Sequence, residues 1–341
     1  MATVVTGAGG HVGACLVRRL LDEGRTLKLI ELERGPGLEG LDVDLRIGDI
    51  RDPDFLRSVF APGDVVYHLA SVISTTGDKG GLVSSVNVNG ARTVAEVALE
   101  RGCSRLVHFS SIHAYDIDTL GAPVTEETAP ATINSDSAYN RSKAEGQAAV
   151  LEVGERGLDV VVVNPCGVIG PYDYKASRMG KVFRAVARGG REKPGPGGFN
   201  WVDVRDVVDG AIRAEAQGTP GEAYILSGHW RTNLDMVRLA AQAQGVPPMD
   251  KTVPWWVVNT MVALAPVFSW LGKRPPVNKE MADALRANPD MPHDKASRGL
   301  GYAPRPIETT VADIMQWYAD EDIIAKDKQR YLARKQAAAA R

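Results

Sequence analysis

The sequence of 341 residues has three cysteines, Cys15, Cys103 and Cys166, far apart and odd in number. That scarcity argues against a disulfide framework or a cysteine-built zinc site, and no metal is expected. It suits a reducing cytoplasm. Excess charge of either sign is missing too, since 40 Lys and Arg face 42 Asp and Glu for a net charge of −2. A nucleic-acid binder normally shows a basic face, so no such partner is expected. No basic n-region followed by an apolar h-region opens the chain, and no signal peptide is expected. A G-x-S-x-G elbow is absent, which leaves serine-hydrolase chemistry unsupported. No internal repeat is found.

Long uncharged stretches are scarce, with one exception. Residues 253–272, "VPWWVVNTMVALAPVFSWLG", carry no charge over a length that could span a bilayer. Pro254 and Pro266 limit the uninterrupted helix to roughly three turns, too short to cross. Two readings stay open. The segment is a buried or pocket-lining helix, with Trp255, Trp256, Met261, Phe268 and Trp270 suited to an apolar ligand. Alternatively it touches a membrane surface, its tryptophans at headgroup depth, in a protein that is cytoplasmic and membrane-associated.

What is present begins with alternation. "ATVVTG", "LKLIEL", "VVYHLAS", "RLVHFSS", "LDVVVVNP" and the later "GEAYILSG" read as apolar strands, with amphipathic helical pieces between the first five. Such strands belong to a parallel sheet covered on both faces. The expected fold is α/β, a doubly wound Rossmann-type sheet. Residues 1–170 are expected to form the dinucleotide-binding domain, with its sheet completed by segments around 200–228. Residues 171–322 are expected to form a smaller, largely helical substrate-binding cap, and 323–341 a basic, frayed or disordered tail.

"TGAGGHVG" follows the first strand and opens a helix, the context that a G-x-x-G-x-x-G spacing needs to cradle phosphate. Gly7 permits the tight turn, Gly10 lets backbone approach a pyrophosphate, and Gly13 lets helix and strand pack closely. Glu31, ending the second strand 24 residues after Gly7, can accept from both ribose hydroxyls and repels a 2′-phosphate. NAD is therefore expected over NADP. Arg34, three residues on, could in principle pair with a 2′-phosphate. In "GDIRD", Asp49 is placed to hold the adenine amino group and Ile50 to pack on its ring.

"YNRSK" puts Tyr139 and Lys143 four apart, on one face of a helix. A cation beside a phenol stabilises the phenolate and an oxidised nicotinamide adds further positive charge, so the Tyr139 pKa is expected to fall toward working pH. Ser110 and Ser111 end a strand where a hydroxyl can bond a substrate oxygen.

With these motifs in order over roughly the first 210 residues, the sequence resembles the extended short-chain dehydrogenase/reductases. "TGAGGHVG", "GDI", "VVYHLAS", "NVNGARTV", "HFSSIHAY", "YNRSK", "NPCGVIGP" and "WVDVRDV" carry the likeness. "GPYDYKASRMG", "FNWVDVRDVVDG" and "DKASRGLGYAPRPIETTVADIMQWY" are most similar to the branch holding dihydroflavonol reductases, 3β-hydroxysteroid dehydrogenases and hopanoid-linked epimerase-like proteins. The resemblance implies that Tyr139 is the acid/base, that Lys143 lowers its pKa while binding nicotinamide ribose, and that Ser111 orients the substrate carbonyl. It implies that Asn89 supports the central helix and the active-site hydrogen bonds. His11 and Val12 would lie at the phosphates, Leu69, Ala70 and Ser71 beside the cofactor, and Pro165 and Val168 at its nicotinamide end. His113 and Tyr172 are candidate substrate contacts, and a homodimer through the helices carrying Asn89 and Tyr139 is implied.

The sequence departs from that branch where its reductases carry an arginine for NADP, since Leu32 stands there. The leading expectation is hydride transfer between nicotinamide and a secondary alcohol or ketone of an apolar small molecule. The first alternative is a nucleotide-sugar epimerase or dehydratase with tightly bound NAD. Enzymes of that kind carry an arginine before the "WVDV" stretch, where this chain has Gly198, Phe199 and Asn200. The second is a dinucleotide-sensing regulator without chemistry, a class that tends to lose the tyrosine or lysine retained here.

Overall fold

The computed structural model describes the chain apart from residues 75–76, 118–121, 132–134, 136, 191–192, 271–276, 278, 280–281, 283–285, 287–289 and 327–341, and the side chains of 269–270. Seven parallel strands form the main sheet. They are β1 (Thr3–Thr6), β2 (Leu27–Glu31), β3 (Asp44–Ile47), β4 (Val65–His68), β5 (Arg105–Phe109), β6 (Val160–Pro165) and β9 (Ala223–Leu226), in the order β3-β2-β1-β4-β5-β6-β9. The order reverses beside β1, which opens a crevice at the strands' carboxyl ends between β1 and β4.

Alternate residues of each strand feed opposite layers, as the period of two requires. Val5, Tyr67, Val107, Val161 and Val163 pack on helices α1 (His11–Asp22) and α7 (Val204–Gln217). Val4, Val66, Leu106, Val160 and Val162 pack on α2 (Pro53–Val59), α4 (Ala91–Glu100) and α5 (Ala138–Glu155). Both faces are thus covered, which is why these strands read as unbroken apolar runs.

Before α4 the same helix begins as a short turn, α3 (Leu82–Ser84), and continues through a π-helical stretch, Ser85–Gly90. The remaining segment holds helices α6 (Arg178–Ala187), α8 (Asn233–Gln244), α9 (Trp255–Ala263), α10 (Ala265–Trp270), α11 (Asp294–Leu300) and α12 (Ile307–Asp320). It is mostly helical, as expected. It also contains a three-stranded sheet not apparent in the sequence, β10 (His229–Thr232), β8 (Gly198–Asp203) and β7 (Gly167–Ile169). These strands are about as short as those of the main sheet, but Gly, Asn, Asp, His and Arg interrupt their apolar residues, so no apolar run marks them.

Phe183, Met236, Ile314 and Trp317 build a third core between α6, α8 and α12. Ile323 is buried there, so the start of the tail is packed; residues 327–341 lie outside the described residues. No helix among the described residues is long and apolar enough to cross a membrane.

Candidate active site

Two cavities meet the carboxyl edge of the sheet. The first, of about 290 Å³, is lined by Gly7, Gly10, Glu31, Asp49, Ile50, Leu69, Ala70 and Ser71, all anticipated from the sequence. Gly7 has φ of +72°, and a Cβ there would stand 2.6 Å from the Ala70 nitrogen. A Cβ on Gly13 would meet the Gly7 carbonyl, so only glycine allows this loop to close against α1. Gly10 caps α1 without any side-chain hydrogen bond, and no acidic residue occupies the first turn. The positive end of the helix is left to an anion. His11 turns from the loop and bonds the Pro171 carbonyl at 2.9 Å, while Val12 packs on the first core.

Glu31 accepts a hydrogen bond from the Gly9 nitrogen, which fixes its carboxylate beside the glycine loop. Burial raises its pKa, opposed by that hydrogen bond and by the charge of Lys175. Asp49 is already gripped by Arg51 at 2.6 Å, and this pairing holds its carboxyl below the usual range. Arg34 bonds the Leu38 carbonyl at 3.2 Å and does not line the cleft.

Beyond β5, Ser111 follows the strand end, and α5 carries Tyr139 and Lys143 one turn apart. Ser137 caps α5 by accepting from the Asn140 nitrogen, which sets the helix register for Tyr139 and Lys143. The Tyr139 hydroxyl is hydrogen-bonded to Ser111. The Lys143 ammonium is buried and donates to the Phe109 carbonyl at 3.0 Å. Burial pushes the Tyr139 phenol up to about 12, outweighing the Ser111 hydrogen bond, and burial brings Lys143 down to about 8. In the protein alone, desolvation governs this pair and the neighbouring amine does not offset it.

Asn89 is exposed, its backbone carbonyl accepts from the Thr93 hydroxyl, and its side chain has no hydrogen bond among the described residues. Its expected place is taken by Asn87, which bonds the Val72 nitrogen at 2.7 Å, the Val72 carbonyl at 3.0 Å and Ser142 at 3.0 Å. The π-helical turn is the cause, because its i→i+5 winding rotates the helix face relative to an α-helix. Gly146 seals the same junction, since a Cβ there would strike the Asn87 carbonyl. Asn164, next to Pro165, is another support without an assigned role in the sequence reading. It donates to the Ser111 carbonyl at 2.9 Å and so fixes the strand end carrying that serine.

The second cavity, of about 250 Å³, is lined mainly by Ile112, Ile117, Val168, Met179, Phe199, Trp201 and Met291, with His113, Ser177, Arg178 and Asn200 as polar members. His113 also meets the Tyr139 ring edge-on at 5.6 Å, and its Nδ1 has no hydrogen-bond partner. Burial holds its pKa near 4, against a hydrogen bond with Asn140.

Tyr172 is not in this cavity. Its φ of +69° turns the ring to the far side of α1, where the Arg18 guanidinium lies 5.0 Å from the ring centre. Trp255, Trp256, Met261 and Phe268 do not line the cavity either, and the Trp270 side chain lies outside the described residues. Arg205 is locked by Asp203 at 2.6 Å and Asp313 at 2.7 Å. Among the described residues no cluster of His, Cys, Asp or Glu could hold a metal ion.

A model of the NAD dependent epimerase/dehydratase family matches residues 3–227. The chain belongs to this family. Sterol demethylase protein B of Methylococcus capsulatus is 30% identical over 330 residues, covering 95% of this chain and all of that protein. The 3-beta-hydroxysteroid dehydrogenase of Mycolicibacterium neoaurum is 27% identical over 359 residues, covering 97% and 95%. The crystal structure of gox2253 superposes with a TM-score of 0.79 at 30% identity, covering 94% of this chain and 98% of that one. This family member is an NAD-dependent oxidoreductase, and the glycine cradle, the uncapped helix end and Glu31 are the residues that fit NAD.

Proposed function

We propose that this epimerase/dehydratase-family protein is a dehydrogenase for a secondary alcohol, or the corresponding ketone, on an apolar small molecule. The observation that carries this reading is the apolar cavity reaching His113 beside Tyr139. Phe199 and Asn200 line it where a sugar-nucleotide enzyme would be expected to present arginine.

In this reading Ser111 bonds the substrate oxygen, and Tyr139 takes the hydroxyl proton during oxidation or returns it during reduction. Lys143, held by the Phe109 carbonyl, supplies positive charge beneath that exchange. When bound, NAD supplies the hydride acceptor and the positive ring that the protein alone lacks beside Tyr139. Asn87 and Asn164 hold the surrounding elements in position.

Arg178 is the feature that favours a second reading, since a cation in the cavity suits a sugar diphosphate. The two separate when the enzyme and NAD are incubated with sterols, simple secondary alcohols and sugar nucleotides. The proposed dehydrogenase accumulates NADH with an apolar alcohol. An epimerised sugar without net NADH would support the alternative instead.

We also propose that the protein is cytoplasmic and that the consecutive helices α9 and α10 rest on membrane surfaces. Trp256 is 70% exposed and Val267 49%, in a segment without charge that Lys273 and Arg274 follow in sequence. Co-sedimentation with vesicles of zwitterionic and anionic lipid is expected, and Trp256→Ser should weaken it severalfold; no sedimentation of the parent protein would remove this contact. A homodimer through α4 and α5 follows from the family resemblance, and light scattering reads its mass.

A further inference from the structure

The segment that displaces Tyr172 from the substrate cavity has a second consequence, at the nucleotide end. Tyr172 and Ala176 both hold left-handed backbone, with φ of +69° and +55°. Neither is glycine, so the conformation costs energy and must be held by its surroundings. Those surroundings are visible. Arg18 of α1 stacks on Tyr172 and Tyr174 and donates to the Tyr174 hydroxyl at 3.1 Å. Trp317 of α12 closes on both rings from the other side. Buried Asp173 accepts from the Ser177 nitrogen at 2.8 Å, and Arg184 bonds the Asp173 carbonyl.

This pinned strap carries one outward residue between its two strained positions. Lys175 is exposed and reaches across to line the nucleotide cleft with Glu31 and Leu32. Its Nζ lies 3.9 Å from the point where a Gly35 Cβ would stand. Its charge acts on the Glu31 carboxyl. No hydrogen bond or ion pair engages Lys175 among the described residues, whereas the cleft's other cation, Arg51, is committed to Asp49.

We propose that Lys175 is a nucleotide-binding residue which, with Glu31, sets the choice between NAD and NADP from the opposite side of the ribose. Glu31 accepts from the ribose hydroxyls and refuses a 2′-phosphate. Lys175 favours the ionised form of that carboxylate and is the cation a 2′-phosphate would meet once Glu31 no longer repels it. Cofactor preference then depends on a residue contributed after β7 as well as on the strand-end position from which it is usually read.

Calorimetric titration of NAD and NADP into the parent protein, Lys175→Ala, Glu31→Gln and the double variant tests this directly. NADP affinity is expected to rise at least about tenfold in Glu31→Gln and less than about twofold when Lys175 is also replaced. Lys175→Arg should preserve the gain. An equal gain with and without Lys175 would overturn the proposal. The inference rests on NAD binding, and the same titrations keep the two apart: failure of the parent protein to bind NAD would strike the cofactor assignment, not Lys175.

Discussion

Tyr139→Phe is expected to lower turnover about 10³-fold while leaving NAD affinity near its original value. The size follows from removing the hydroxyl that meets Ser111 and borders the apolar cavity through His113. A loss of that order corresponds to about 4 kcal/mol of transition-state stabilisation. Phenylalanine retains the ring that packs against His113, so folding and nucleotide binding should survive. Thermal melting and NAD titration of the variant separate lost chemistry from lost structure. Near-normal turnover would remove Tyr139 from the mechanism.

The second large effect concerns acid. His68, His108 and His113 sit around Lys143, and all are held neutral by burial, with the Lys143 charge adding to it. His68 is lowered to about 3 and His113 to about 4, and His108 falls well below its ordinary value. Unfolded, each would titrate near 6.5. Between 6.5 and the folded value the unfolded chain binds more protons, so stability drops as pH falls through that window.

At pH 5 the loss is about 2 kcal/mol for each histidine, so His68 and His113 alone account for about 4 kcal/mol. That is a large share of the roughly 5–15 kcal/mol that holds a domain together. Glu31 and Asp206, both raised by burial, act in the opposite direction and only as the medium nears the carboxylate range. Urea unfolding of the cofactor-free protein should therefore show a clearly lower midpoint at pH 5 than at pH 7. His68→Asn, which keeps a polar partner for Thr6, should flatten the difference. Equal midpoints at the two pH values would show that these histidines are not buried neutral.

Why some of this was legible in the sequence and some was not comes down to local signals. Strand β1, the glycine loop and α1 were readable because periodicity, glycine spacing and helix amphipathicity all fall within one stretch of chain. Tyr139 and Lys143 were readable because four residues of α-helix fix their common face. Asn87 was hidden because the π-helical turn changes that face, and nothing in "SVNVNG" announces the wider winding. Tyr172 was misplaced because its left-handed backbone is imposed by Arg18 and Trp317, which are 154 and 145 residues away from it. The fall expected for the Tyr139 pKa counts the charges of Lys143 and of an oxidised nicotinamide together, whereas in the protein alone burial of the phenol is the largest influence. The uncharged 253–272 segment has one buried residue in α9, Val258, and leaves Trp256 facing outward.

The most direct test uses a secondary alcohol deuterated at the carbon bearing the hydroxyl, on an apolar ring system, with NAD and the parent enzyme. The account predicts that the deuterium appears on released, reduced nicotinamide, one for each ketone formed. Deuterium that never leaves with the nicotinamide, while a sugar nucleotide is epimerised without net NADH, would contradict it.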